Sequence, residues 1–330
     1  MWLTEKVQPV FVMMAIVAGL ALGRQPGASV PTSSFIVPLL MLMLCGVFFQ
    51  IPLTDIRDAL SNYRVPGLSL AVNFLWTPIF AWGLGALFLR DTPDLWVGLV
   101  LLMVTPCTDW YLIFTGMARG NVALGTALLP WNLMLQILLL PIYMLIFAGA
   151  LVGLDAAALL ESIMLVLFIP MGVALATRTW LKRTWGQQWL AERLLPKVPT
   201  AQFLCLILAI VAMFASQGHI LMQQPHMFFA LLPPVVLFFG GNFMLTHMVG
   251  RVWQLRYEDF VTFCCTTLAR NSPLALAIAV KAFPEQPLIA FALVIGPLIE
   301  LPILSLVAHG LRLEDGRGWW SVRALSRKKY

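Results

Sequence analysis

Three ionisable side chains, Asp109, Arg270 and Glu300, fall near the middle of apolar runs long enough to cross a bilayer. An isolated charge at that depth costs about 3 kcal/mol or more, so each must have a partner or a purpose. Asp109 follows Cys107 and Thr108 in the run Val104-Thr105-Pro106-Cys107-Thr108-Asp109-Trp110. A proline inside an apolar helix removes a backbone donor and clashes with the preceding turn, so Pro106 marks a helix break. The run Ala269-Arg270-Asn271-Ser272-Pro273 repeats the pattern, with Pro273 as the second break. Broken helices that carry polar and ionisable groups at mid-membrane are how secondary transporters build a binding site.

Two readings of Asp109 and Arg270 stand side by side. They pair where the broken helices cross, or Arg270 is a fixed positive charge near a substrate, a task suited to a group that stays protonated when poorly hydrated. Glu300, between Pro297 and Pro302, has no evident local partner. A carboxyl that takes and releases a proton as access alternates is a candidate coupling group; the plainer alternative is a carboxyl bonded to freed amides at a proline kink. Cys107 begins the second half of its span, facing that half-helix's N-terminal dipole and unpaired N–H groups. A sulfur ligand there selects soft, thiophilic partners. Cys264 and Cys265 precede the second break by one to two turns and read as packing residues. Gln136, Asn242 and Thr266 read as bridges between helices, whereas Asn132, beside Pro130, is also a candidate for substrate contact. The four histidines sit near span ends without ligand spacing, and the five cysteines show no paired zinc spacing, so no cofactor or resident metal is expected.

The elements that must position these residues are transmembrane helices. Hydrophobic residues make up 60% of the chain and charged residues 11%, with a mean hydropathy of +0.88, against about 25% charged in soluble domains. Apolar runs of spanning length fall at 7–23, 35–51, 66–89, 95–118, 122–149, 157–177, 200–222, 226–250, 258–281 and 287–311. The first is followed by a second span and lacks a small-residue cleavage motif, so it is expected to be retained. Ten spans place seventeen of the 21 Lys and Arg on one side, including five between Arg178 and Lys197 and six in the tail from Arg312. Arg24, Arg90 and Lys281 fall on the other side, and Arg270 lies within a span. This bias puts both termini in the cytoplasm of a multi-pass cell (inner) membrane protein. Trp2, Trp319 and Trp320 read as interfacial anchors, and the basic tail as a membrane-surface contact.

The expected organisation is a first five-helix repeat at 1–177, a basic cytoplasmic linker at 178–199, a second repeat at 200–311 and a basic cytoplasmic tail at 312–330. Five is odd, so the repeats are inverted. The fourth and ninth spans then correspond, and both carry a proline among polar groups. The fifth and tenth correspond likewise, through Leu129-Pro130-Trp131-Asn132 and Gly296-Pro297-Leu298-Ile299-Glu300.

Pro106-Cys107-Thr108 with Met117-Ala118-Arg119-Gly120-Asn121 resembles the fourth-span motif of the bile acid/sodium symporter superfamily. Asn271 to Ala279 and Gly296-Pro297-Leu298-Ile299-Glu300-Leu301-Pro302 resemble its C-terminal half, and both point to the arsenite-efflux branch. The resemblance implies a core and a panel domain, with the broken fourth and ninth spans crossing at the site. It implies that Cys107 recognises As(III) and that Glu300 couples protons. Sodium-coupled members carry a Ser-Asn pair where this chain has Tyr111-Leu112, and a Glu and a Gln where it has Thr266 and Arg270. A guanidinium thus replaces a cation ligand, which implies transport without sodium. Asp109 and Arg270 also depart from arsenite exporters, which are uncharged there.

These features together describe an all-α integral membrane protein acting as a secondary transporter, an arsenite/proton antiporter in the leading reading. The alternative is a sodium-independent carrier of organic anions that uses Arg270. Expected substrate-site residues are Cys107, Thr108, Asp109, Asn132, Arg270 and Asn271; Glu300 is the expected proton-coupling group. Its partners are a small-molecule or metalloid oxyanion substrate, protons and the lipid bilayer. The basic residues lie in short loops and the tail, as topology requires, which argues against nucleic acid. An intramembrane enzyme would need a nucleophile with a base, or a His/Asp metal cluster, at membrane depth, and neither is present.

Overall fold

A computed structural model describes residues 2–24, 29–50, 64–107, 110–149, 151, 156–223 and 225–316. These form twelve helices and, among the described residues, no strand. They are α1 (Trp2–Gly23), α2 (Ser29–Gln50), α3 (Arg64–Phe88), α4 (Pro93–Met103), α5 (Trp110–Met117) and α6 (Val122–Ala148). There follow α7 (Ala156–Trp189), α8 (Val198–Gln223), α9 (Pro225–Val252), α10 (Tyr257–Leu268), α11 (Ser272–Ala282) and α12 (Pro287–Gly316). Among the described residues, five helical stretches are long and apolar enough to cross a membrane: Arg64–Phe88, Val122–Ala148, Leu160–Ser216, His226–Val252 and Pro287–Glu314. Shorter apolar helices include Val10–Gly23, Ser34–Gln50, Pro93–Met103 and Ser272–Ala282.

Proline interrupts the chain unevenly. Helices run unbroken past Pro130 and Pro141 in α6, Pro170 in α7, Pro233 and Pro234 in α9, and Pro297 and Pro302 in α12. Among the described residues, only the fourth and ninth apolar runs separate into half-helices, α4 with α5 and α10 with α11. Pro106 lies in the first gap. Pro273 instead sits in the first turn of α11, where its missing N–H has no intrahelical acceptor to lose. The second break is therefore at Ala269–Asn271, just before the proline expected to cause it.

Residues 178–199, expected as a loop, are mostly helical. α7 continues to Trp189, interrupted by Gly186 at φ 85°, and a π turn (Leu190–Leu194) and a 3-10 turn (Leu195–Lys197) lead into α8. The apolar signal ends near residue 177, but helix propensity does not. Exposed Trp180 and Trp185 alternate here with exposed Lys182 and Arg183, the mixture favoured at a membrane interface.

The helices pack in two groups. α1 and α2 lie against α8, and α7 lies against α2; α3, α4, α5, α6, α9, α10 and α12 surround the two breaks. α11 touches α2, α7 and α12. α12 crosses α4 at Gly98, where a Cβ would meet the Ala292 side chain at 2.6 Å and the Ile289 carbonyl oxygen at 2.8 Å. Small residues allow this approach where no hydrophobic driving force draws helices together. Gly98→Val should lower the thermal midpoint of detergent-purified protein, with overpacking costing about 1–3 kcal/mol. Gly172→Val, at a glycine with nothing within 4 Å of its Cβ position, should leave the midpoint unchanged in the same assay.

Candidate functional site

In lipid every backbone polar group needs a partner inside the protein, and each break leaves such groups free. Here the two breaks serve each other. Cys107 N–H donates to the Ala269 carbonyl at 3.1 Å, and Asn271 N–H donates to the Thr105 carbonyl at 2.7 Å. These two bonds flank an isolated antiparallel bridge between Pro106 and Arg270. In such a pair the two facing residues direct their own N–H and C=O groups away from each other. A proline at position 106 therefore costs the bridge nothing. The outward N–H of Arg270 donates to Glu300 Oε1 at 2.7 Å.

Both following half-helices are capped by the residue beside the bridge. Cys107 Sγ accepts from the Trp110 N–H at 3.2 Å, and Asn271 Oδ1 accepts from the Leu274 N–H at 3.1 Å. Asn271 is a strongly favoured N-cap; Cys107 takes the corresponding place in the other break. The sulfur is thus at the N-terminus of α5, as its position in the sequence suggested, and is buried at 2% exposure.

Arg270 closes the opposite ends. Its guanidinium donates to the Met103 carbonyl, the last of α4, at 2.9 Å and to the Asn73 Oδ1 at 2.9 Å. It also bonds the Thr267 carbonyl and, at 3.3 Å, the Leu268 carbonyl, both at the end of α10. The Phe238 ring covers it with its centroid 5.3 Å away. The last carbonyls of a helix lack intrahelical donors and carry partial negative charge. One cation therefore satisfies two half-helix C-termini.

Glu300 is 3% exposed and borders a small cavity shared with Trp110, Arg270, Ser272 and Pro297. Of its two expected settings, the bond to a freed amide is present, but the amide is that of Arg270 in the second break rather than one freed by the prolines of α12. Asn132 is fully buried and bridges helices, its Nδ2 donating to Thr266 Oγ1 at 3.2 Å, while its Oδ1 has no hydrogen-bond partner among the described residues. Gln136, one turn on, is equally buried and has neither side-chain atom bonded among those residues. Asn242 Oδ1 accepts from Trp76 Nε1 at 3.1 Å, joining α9 to α3. Cys264 and Cys265 are buried in α10, with Thr246 Oγ1 3.5 Å from Cys264 Sγ. Thr108 and Asp109 lie outside the described residues, and with them the expected Asp109–Arg270 pair.

Asn73 was not among the sequence candidates, yet it ties α3 to the crossing through Arg270 and, by Nδ2, to the Thr266 carbonyl at 3.3 Å. The available signal was the spacing of Ser69, Asn73 and Thr77, polar residues four apart in an otherwise apolar run, which mark one buried helix face. Trp110 was missed for the opposite reason: in sequence it reads as one more apolar residue.

Two helices broken at mid-run and joined at their gaps, with a thiol, a carboxyl and a guanidinium at the junction, define a membrane transporter. The chain belongs to the Sodium Bile acid symporter family, whose model matches residues 37–224. It is 25% identical over 319 residues to the arsenical-resistance protein Acr3 of Corynebacterium glutamicum, covering 91% of this chain and 86% of that protein. The Acr3 arsenical-resistance protein of Alkaliphilus metalliredigens is 21% identical over 320 residues, covering 91% and 90%. A probable chloroplastic sodium/metabolite cotransporter of Oryza sativa, BASS3, is 26% identical over 204 residues, covering 60% of this chain and 46% of its own.

Removing the guanidinium leaves several oxygens without donors, each costing about 1–3 kcal/mol. Arg270→Met should therefore lower the thermal midpoint in detergent markedly. Arg270→Lys, which keeps a cation with three donors, should recover part of the loss. Asn73→Ala should cost less than Arg270→Met.

Proposed function

We propose that this protein is a secondary transporter that exports As(III), as arsenite or a related trivalent species, in exchange for protons. The carrying observation is that Cys107 and Glu300 are bonded to consecutive residues of one break. Cys107 N–H meets the Ala269 carbonyl and Glu300 Oε1 meets the Arg270 N–H. A soft sulfur ligand and a protonatable carboxyl thus share a single junction, so a movement that changes access to one changes access to the other. The similarity to two arsenical-resistance proteins over nine-tenths of the chain supports the same cargo. Asn132, Asn271 and the Thr108–Asp109 segment complete the proposed substrate site.

In this reading ten spans form two inverted five-helix repeats, residues 1–177 and 200–311. Segment 178–199 and the tail 312–330 face the cytoplasm with both termini. α1, α2, α7 and α8 form a panel, and the remaining helices a core that carries the crossing.

Coupling does not require sodium. The places where a cation would be held are filled from within: the Arg270 guanidinium takes the half-helix carbonyls, and the Tyr111 hydroxyl donates to the Gly125 carbonyl at 2.6 Å. The competing reading, an organic anion held by Arg270, needs a guanidinium with donors to spare. Four donor bonds from its five N–H groups already go to oxygens of described residues.

In inside-out vesicles, an outward proton gradient set by an acid lumen should drive arsenite uptake, unchanged when choline replaces sodium. Cys107→Ser and Glu300→Gln should each abolish that uptake while the protein remains in the membrane. Cells carrying either variant should accumulate arsenite to the level of cells without the transporter; accumulation as low as with the native chain would refute the assignment. Uptake of a carboxylate or sulfonate that depends on Arg270, with arsenite movement absent, would favour the organic-anion reading.

A further inference from the structure

Two cavities lie between the helices of the proposed panel and the crossing, and they share a wall. The larger, about 260 Å³, is lined by Met43, Gln50, Leu112, Gln202 and Phe203 among others, together with Trp110 and Leu206. The smaller, about 20 Å³, lies at Arg270, Ser272, Ile210 and Glu300, again with Trp110 and Leu206. A space needs roughly 10–15 Å³ on this measure to hold one water. The smaller cavity therefore has room for a water beside the carboxyl and no more, whereas the larger admits a small solute.

Their depths differ in a consistent direction. Gln50 ends α2, Pro199 and Gln202 begin α8, and α5 runs from Trp110 towards Met117. In the topology set by the basic residues, all three ends face the cytoplasm. The smaller cavity is lined by Val12, Ile210 and Glu300 from the interiors of α1, α8 and α12. Gln50 and Gln202 hydrogen-bond to each other between α2 and α8. Trp110 is fixed at the inner end, because its N–H is the one that caps onto Cys107 Sγ.

We propose that the Trp110 side chain, which with Leu206 lines both cavities, separates a cytoplasm-facing vestibule for the cargo from a water-sized pocket that serves the Glu300 carboxyl. The proposal rests on the transporter reading above and adds to it a residue that keeps the two coupled species apart. Cargo loading from the cytoplasm stops at the indole of the residue whose backbone N–H bonds the Cys107 sulfur. The carboxyl exchanges its proton with its own pocket rather than with the vestibule. Cargo and proton then exchange places at the junction only when α5 moves against α8, the kind of gated step by which a transporter avoids leak. Trp110 acts by position and size, not by chemistry.

The test places single cysteines on the two sides of the wall, Phe203→Cys in the vestibule and Ile210→Cys in the pocket. A charged methanethiosulfonate reagent is added to inside-out vesicles without arsenite, and labelling is followed peptide by peptide by mass spectrometry. Phe203→Cys should label quickly and Ile210→Cys at least an order of magnitude more slowly. Adding Trp110→Ala to Ile210→Cys should bring its rate close to that of Phe203→Cys, while Trp110→Phe should keep it slow. Reconstituted Trp110→Ala should also pass protons without cargo, read with a pH-sensitive dye. Equal rates at the two positions with Trp110 in place would overturn the proposal, and this comparison requires no Trp110 variant to fold. So would protection of Phe203→Cys from the cytoplasmic side, or a slow Ile210→Cys rate that Trp110→Ala leaves unchanged. No readout depends on arsenite, so loss of the arsenite assignment and loss of the barrier are separate results.

Discussion

Hydrocarbon supplies no hydrogen bonds, so a broken helix can exist there only if something in the protein takes over its freed backbone groups. In this protein that something is a second broken helix. The amides of Cys107 and Asn271 pair with the carbonyls of Ala269 and Thr105, and the remaining free groups are assigned around that pair. The outward amide of Arg270 goes to Glu300, the N-termini of α5 and α11 go to Cys107 and Asn271, and the C-termini of α4 and α10 go to the Arg270 guanidinium. Few of these groups can be exchanged singly, because each satisfies a partner that has no water to turn to.

The arrangement gives the crossing its chemistry as a by-product of its stability. A cap on α5 must offer an acceptor, and a cysteine sulfur serves, although an oxygen would be the usual choice. Under the proposed function, that sulfur is also the group that would meet a soft cargo. A carboxyl must accept the amide of Arg270, and Glu300 does so from a helix that packs closely on α4 through Gly98 and Gly296. A displacement of α12 against the crossing therefore alters the setting of the carboxyl directly. Arg270 places a positive charge at the ends of two half-helices. Its engagement with two helix ends and with Asn73 explains why a charge can remain at a depth where charges are costly.

Much of this arrangement is legible in the sequence. Among the described residues, the five helical stretches of spanning length and the shorter apolar helices fall on the expected apolar runs, because span length and composition dictate them. The fourth and ninth runs were singled out by proline among polar groups, and those two are the ones that break. Proline alone did not carry the signal, since α6, α9 and α12 pass through theirs unbroken. What distinguishes the breaks is a partner for the freed groups, a long-range property that no local pattern encodes. For the same reason Pro273 was credited with a gap that lies at Ala269–Asn271. Asn73 escaped notice because its role depends on a guanidinium nearly two hundred residues away. The helical continuation of α7 through residues 178–189 was hidden by a reading that ends a helix where its apolar stretch ends.

The central claim is that the junction of the two breaks meets the cargo through Cys107. Arsenic-edge X-ray absorption of the purified protein loaded with arsenite measures this directly, because sulfur and oxygen neighbours scatter at distinct distances. The native protein should show an arsenic–sulfur path that disappears in Cys107→Ser, with oxygen neighbours retained. A spectrum with oxygen neighbours alone in the native protein, or a sulfur path unchanged in Cys107→Ser, would contradict the account.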